Sequence, residues 1–186
     1  MPGHSPGIGL PYDPESARHL LAEAGYPGGR GFPGLECLAR DDPGFDLLCE
    51  HLQTQWLENL GVEIAWKQIE WGRFYDSKPE ETPHMWMVGW YADYPDPDDF
   101  LRIQWWIDPG WKNDDYDRLV EGARRVMDQP ERLRMYQQAD GILVEEAPIM
   151  PLAYGRFHML VKPWVRQIFT SPLKWWSWKD IVLEPH

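Results

Sequence analysis

Between Leu35 and Trp66 the sequence changes its period twice, and this restricts the fold more than any other feature of the chain. Leu35-Glu36-Cys37-Leu38-Ala39-Arg40 has strand character. Asp41-Asp42-Pro43 then opens a helical pattern carried by Phe45, Leu48, Cys49, Leu52, Trp56 and Leu60, and Gly61 closes it. An acid before a proline at the start, and a glycine just past the end, bracket a helix on both sides. Val62-Glu63-Ile64-Ala65-Trp66 alternates again, the period of a second strand. Strand, helix and strand joined by short loops form a βαβ unit, so the two strands are expected to pair in parallel through a right-handed crossover.

The rest of the chain extends this α/β plan. Residues 1–12 are rich in Gly and Pro and read as an irregular arm. A helix follows, with Asp13 as cap, Pro14 in its first turn, a stripe of Ala17, Leu20, Leu21 and Ala24, and a stop at Gly25 and Pro27. A short helix is expected over residues 71–76, then a charged loop through 78–81, then a short buried strand in Met85-Trp86-Met87-Val88. Helices are expected over 97–106, 113–127 and 130–146. Residues 148–154 read as a β-type run whose prolines place it at an edge or at strand ends, and 156–161 as another strand. The tail, 162–186, is aromatic and Pro-rich.

Composition narrows the function. The chain has 186 residues, enough for one sizeable core, with 12 Trp and 18 Pro. So many tryptophans call for an aromatic interior, an aromatic-lined cleft, or both. A formal net charge of −12 argues against a nucleic-acid backbone or an anionic membrane as partner, and favours neutral or cationic ligands. Cys37 and Cys49 lack Cys-x-x-Cys spacing and read as buried free thiols, with a disulfide left open by the sequence. No apolar run is long enough to cross a membrane, and Met1-Pro2-Gly3-His4 does not begin a secretory signal, which favours the cytoplasm unless the chain is excised from a longer one. The six histidines make no zinc-type spacing, and no nucleophile elbow, phosphate loop or dinucleotide fingerprint is present. No cofactor or metal is expected.

One stretch stands out: Gly89-Trp90-Tyr91-Ala92-Asp93-Tyr94-Pro95-Asp96-Pro97, at the end of the third strand. Ligands of open α/β sheets sit where strands end. A calcium loop would need a central Gly and a terminal Glu, but two prolines interrupt the run. A glycosidase acid pair has many competitors on so acidic a chain. Asp96, Asp98 and Asp99 suit the N-terminal end of the next helix as caps. Asp93 precedes that helix and directly follows the strand-end aromatics.

Taken together, the run from Tyr12-Asp13-Pro14 to Gly25-Tyr26-Pro27, residues 53–62, the stretch 89–97 and Leu160-Val161-Lys162-Pro163-Trp164-Val165 resemble the C-terminal lobe of the peptide/nickel-type solute-binding proteins of ABC importers, above all the oligopeptide and dipeptide binders. The resemblance implies an isolated C-terminal lobe of a two-lobed periplasmic-binding-protein-like fold, with a mixed, mainly parallel sheet flanked by helices. It implies an arm at 1–12, the ligand-binding lobe at 13–161, and a tail at 162–186 that returns to a missing first lobe. By the same resemblance the protein is extracytoplasmic and non-enzymatic, and passes peptide-like ligands to a permease. Asp93 would pair with the ligand's ammonium group, Gly89 and Tyr91 would offer backbone to an extended peptide, and Trp90 and Trp71 would line side-chain pockets. Met87 stands where some oligopeptide binders carry a basic residue that helps hold the peptide carboxylate.

Three other readings remain open on the residues: a Trp-rich carbohydrate-binding module, a carboxylate hydrolase using Asp93, and a sensing lobe fused to a signalling protein.

Overall fold

The parallel βαβ unit forms with β1 at Leu35–Arg40, α2 at Pro43–Leu60 and β2 at Ile64–Ile69. It belongs to a computed structural model that describes residues 3–70, 72, 84–102, 110–156, 158–168 and 178–185. Strand β1 pairs in parallel with β2, Leu35 opposite Ile64, and on its other side with β3, Met85–Met87, in the register Cys37 to Met85. The sheet order is therefore β2-β1-β3. A central parallel strand has both faces covered, and Cys37, Leu38 and Ala39 are accordingly buried in succession. The second strand is displaced from the expectation: it starts at Ile64, because Gly61 and the two residues after it are used to leave the helix.

The helix termini follow the capping chemistry. The Asp13 carboxylate accepts from the backbone N–H of Glu15 and Ser16, opening α1, Pro14–Glu23. Asp42 does the same for Gly44 at the start of α2. Gly61 ends α2 at φ 67°, and a Cβ there would lie 2.6 Å from the Gly28 carbonyl oxygen, so only glycine fits. The apolar stripe of α1 is only half used: Ala17 and Leu21 are partly buried, while Leu20 and Ala24 are exposed.

The chain forms two compact units, one of Pro11–Trp90 and one of Met1–Leu10 with Tyr91–His186. In the first, Ala39, Cys49 and Met87 form the core, with Phe45, Leu48, Leu52 and Trp66 packed on it. Both cysteines are free and buried, and burial pushes the Cys37 thiol up to about 11.

The second unit is built on α4, Asp114–Ala123, and α5, Gln129–Glu146. Tyr116, Val120, Ala123, Tyr136, Ala139 and Leu143 are buried between them, together with Leu101 of the short helix α3, Asp98–Leu101. Three expectations are corrected here. Helix α4 ends at Ala123, not at Met127, because the next four residues carry the chain to Asp128, which caps α5 by accepting from Glu131 N–H at 2.9 Å. The helix expected over 97–106 leaves helical geometry at Arg102, and 103–109 lie outside the described residues. No strand forms over 148–154 or among the described residues of 156–161. Pro148 and Pro151 have no N–H to give a ladder, and the side chains there are mostly exposed. Instead the tail contributes an antiparallel pair, β4 at Val165–Arg166 with β5 at Val182–Leu183, flanked by an Arg166–Glu184 ion pair at 3.1 Å. The short helix and charged loop expected over 71–81 fall outside the described residues apart from Gly72.

Candidate functional site

All three strands of the sheet run the same way, so Arg40, Ile69 and Met87 end at one edge. Gly89 and Trp90 leave from that edge as the last residues of the first unit. Gly89 has no positive φ, and a Cβ on it would meet only the Phe45 ring, at an ordinary 3.8 Å. Its lack of a side chain is therefore not imposed by packing. Trp90 is 37% exposed, high for so large an apolar side chain. Met87 is a core residue, 5% exposed against Ala39 and Cys49. A basic side chain at 87 could not be ionised there without losing its hydration, so the departure at this position is structural as well as chemical.

Tyr91 and Asp93 begin the continuous part of the second unit. Tyr91 is 47% exposed. The Asp93 side chain is exposed, and its carboxylate has no partner among the described residues, whereas its backbone N–H donates to Asp99 Oδ2 at 3.1 Å. Trp71 lies outside the described residues.

Asp96, Asp98 and Asp99 are corrected in part. Asp96 acts as a cap should, accepting from Asp98 N–H at 2.9 Å, but its carboxylate is also gripped by both Arg132 nitrogens, at 2.7 and 2.8 Å. Asp98 and Asp99 do not cap: they are 7% and 6% exposed, inside α3. The Asp98 carboxylate accepts from the Tyr94 hydroxyl at 2.9 Å, the Tyr136 hydroxyl at 3.1 Å and Arg102 at 3.5 Å, with Arg124 at 3.8 Å. A buried carboxylate is tolerable only with such compensation.

Burial opposes ionisation of Asp96, but hydrogen bonds from Arg132 and the Asp98 amide, with the Arg132 charge, outweigh it and hold its carboxyl below the ordinary range. Burial and then the Asp98 hydrogen bond push the Tyr94 hydroxyl up. Tyr136 is raised first by burial and then by the Asp98 charge. The lowered Asp96 and the raised Tyr94 and Tyr136 favour an ionised carboxylate and protonated hydroxyls, the forms in which these hydrogen bonds are made.

Among the described residues no group of three or more His, Cys, Asp or Glu could hold a metal, and no helix is long and apolar enough to cross a membrane.

With this geometry in view, the family model described as "Bacterial extracellular solute-binding proteins, family 5 Middle" matches residues 1–112. The chain belongs to family 5 of the bacterial extracellular solute-binding proteins. Among its relatives, di/tripeptide-binding protein 1 of Pseudomonas aeruginosa is 30% identical over 171 residues, which is 87% of this chain and 32% of the relative. Heme-binding protein A of Haemophilus influenzae is 30% identical over 171 residues, 87% of this chain and 31% of the relative. The crystal structure of a dipeptide-binding protein from Pseudoalteromonas sp. SM9913 in complex with Met-Leu matches at TM-score 0.78 and 26% identity, covering 98% of this chain and 38% of that one. The family 5 chain thus spans about a third of the length of these relatives. Its periplasmic-binding-protein-like α/β fold is the one expected from the resemblance, and the named relatives are binding proteins.

The frame around Asp98 escaped the sequence reading. One signal was available: Arg132 and Tyr136 lie four residues apart, on one face of a helix. That the face meets residues 96 and 98 is a long-range fact that no local pattern carries.

Proposed function

We propose that this chain is the C-terminal lobe of an extracytoplasmic solute-binding protein that captures a short peptide and delivers it to an ABC permease, without chemistry of its own. In this reading residues 13–161 are the ligand-binding lobe, 1–12 an arm, and 162–186 a tail returning to a first lobe that carries the opposite wall of the cleft. The observation that carries the reading is Asp93. It is an exposed carboxylate without a partner among the described residues, its own backbone is hydrogen-bonded, and in the chain it comes six residues after Met87, the last residue of β3. A ligand ammonium group would supply the missing partner, and the pair strengthens as closure removes water. Gly89 and Tyr91 would pair through their backbones with an extended peptide, a mode that reads main chain and tolerates varied side chains. Trp90 and Trp71 would line the pockets for those side chains. With Met87 in the core, the peptide carboxylate has to be met from elsewhere.

Peptide is favoured over other solutes by the relatives named for di- and tripeptides and by the Met-Leu complex. The same relatives favour solute capture over a carbohydrate module or a fused sensor. Lobe closure would then be a ligand-driven population shift about hinge segments.

Calorimetry on the complete polypeptide carrying this chain tests the reading, with Met-Leu and N-acetyl-Met-Leu as probes. Acetylation removes the ammonium charge and should weaken binding roughly tenfold or more, as a charge-assisted hydrogen bond contributes about 1.5–3 kcal/mol. Asp93→Asn should weaken Met-Leu to a similar degree without lowering the melting temperature. Equal affinity for the two peptides would sink the ammonium anchor. Hydrolysis of Met-Leu that disappears in Asp93→Asn would instead make the protein a hydrolase. The 186-residue chain alone should bind Met-Leu poorly, because half of the cleft is absent.

A further inference from the structure

An anchor is selective only if it is aimed, and the backbone of Asp93 is held by the carboxylate of the buried Asp99. We propose that Asp99 is a positioning residue: its buried carboxylate holds the Asp93 amide and so fixes the direction in which the Asp93 side chain is offered to a ligand ammonium group. The proposal rests on the reading of Asp93 as that anchor.

Three observations carry it. First, Asp99 reaches backwards. It lies in α3, yet its Oδ2 accepts from the N–H of a residue six positions earlier, at 3.1 Å. A capping side chain serves donors two or three residues ahead of it in the first turn, so this bond does nothing for the helix. Second, Asp99 is only 6% exposed, whereas Asp93 is exposed and its carboxylate has no partner among the described residues. The buried acid thus spends hydrogen-bonding capacity on the backbone of a residue whose own carboxylate has no partner among the described residues.

Third, the turn between them is closed along its length. Asp96 N–H donates to the Tyr94 carbonyl at 2.8 Å, Asp98 N–H to the Asp96 carboxylate at 2.9 Å, and Asp99 N–H to the Asp96 carbonyl at 3.2 Å. The Tyr94 hydroxyl is tied to Asp98, and Asp96 to Arg132 on α5. Asp99 therefore stands on a rigid base, and its bond to Asp93 transmits that rigidity to the binding loop. Pre-organisation of this kind spares the ion pair with an ammonium group the cost of orienting the Asp93 side chain, a cost that a ligand without that charge does not meet.

The test compares Met-Leu with N-acetyl-Met-Leu on the complete polypeptide, in wild type, Asp99→Leu and Asp99→Asn, together with amide exchange of Asp93 in the wild type. Asp99→Leu is expected to lose roughly tenfold in Met-Leu affinity while its N-acetyl-Met-Leu affinity stays at the wild-type value, on the scale of one charged hydrogen bond. Asp99→Asn keeps an acceptor oxygen and should restore most of the difference between the two peptides. A merely structural role would lower both affinities alike and would not be rescued selectively. Full discrimination retained in Asp99→Leu overturns the proposal and leaves the Asp93 reading intact. Absence of discrimination in the wild type overturns both. Should the leucine variant fail to fold, amide exchange decides: a slowed Asp93 N–H supports the bond to Asp99, and exchange as fast as in an open chain overturns it.

Discussion

The centre of the unit Pro11–Trp90 is an apolar strand covered on both faces, with Cys37 and Ala39 fully buried and Met87 beside them. In the unit containing Tyr91–His186, the element next to the candidate anchor is instead organised by two buried carboxylates, Asp98 and Asp99. Apolar packing is non-directional and accepts near-isosteric exchange, whereas a buried charge demands each of its partners at a given place. The same chain therefore uses shape to hold β1 and Met87 beside it, and directed hydrogen bonds to hold the residue that would meet a charge.

The largest effect is expected where this contrast is sharpest. Asp98→Leu takes the shared acceptor from the Tyr94 and Tyr136 hydroxyls and removes one buried counter-charge of Arg102, and should cost about 3–5 kcal/mol in urea unfolding. A loss below about 1 kcal/mol would place Asp98 with exposed ion pairs such as Arg118–Asp115, and the contrast would fail.

Arg132→Met comes next, at about 2 kcal/mol for the two charged hydrogen bonds to a half-buried Asp96. The effect also has a pH signature. The Asp96 carboxyl titrates lower in the folded state than its ordinary 3.8, so its contribution is fully present above that value and is lost as pH falls through the lower folded-state value. Acid titration of stability should thus be shallower in Arg132→Met than in wild type.

The apolar unit should show the opposite signature. The Cys37 thiol is raised from 9.0 to about 11 by burial, with smaller contributions from Cys49 and Glu36. Its folded form holds the proton more tightly, so stability should decline as pH rises from about 9 towards 11, and Cys37→Ala should remove part of that slope. At neutral pH the same variant should cost only about 1 kcal/mol, the scale of a small core truncation. An alkaline slope unchanged in Cys37→Ala would mean that other groups set it.

What could be read from the sequence divides along the same line. β1 and α2 were legible to the residue, because Asp42, Pro43 and Gly61 state their roles locally and the apolar period needs no partner to be recognised. Asp13 and Pro14 announced α1 equally plainly, although not that Leu20 would be left exposed. The misreadings came where a local signal had a distant competitor. Asp98 and Asp99 do lie in the first turn of α3, but contacts outside that turn, such as Tyr136, 38 residues beyond Asp98, and the Asp93 amide, reveal a use that capping does not describe. Residues 148–154 have β-type side chains, but no strand forms there, and two residues of the run are prolines. Within the candidate site, Asp93 could be singled out from its position after the strand; the bond that aims it could not.

The smallest effect tests how each unit ends its long helix. Both α2 and α5 close with a left-handed residue, Gly61 at φ 67° and Ala147 at φ 51°. Glycine adopts this conformation freely, whereas an L-residue with a Cβ is strained by roughly 1–2 kcal/mol. At Gly61 the choice is forced twice, by φ and by the nearby Gly28 carbonyl. Ala147 meets the first demand with a side chain and so keeps that strain in the folded state. Ala147→Gly should relieve it, partly offset by the greater freedom glycine gives the unfolded chain, for a net gain of about 0.5–1 kcal/mol seen as a higher urea midpoint. A lower midpoint would mean that the methyl group of Ala147 contributes packing that outweighs its strain. The second unit would then owe its stability to apolar contact at this helix end as well, and the division of labour between the two units would have to be drawn more narrowly, around α3 alone.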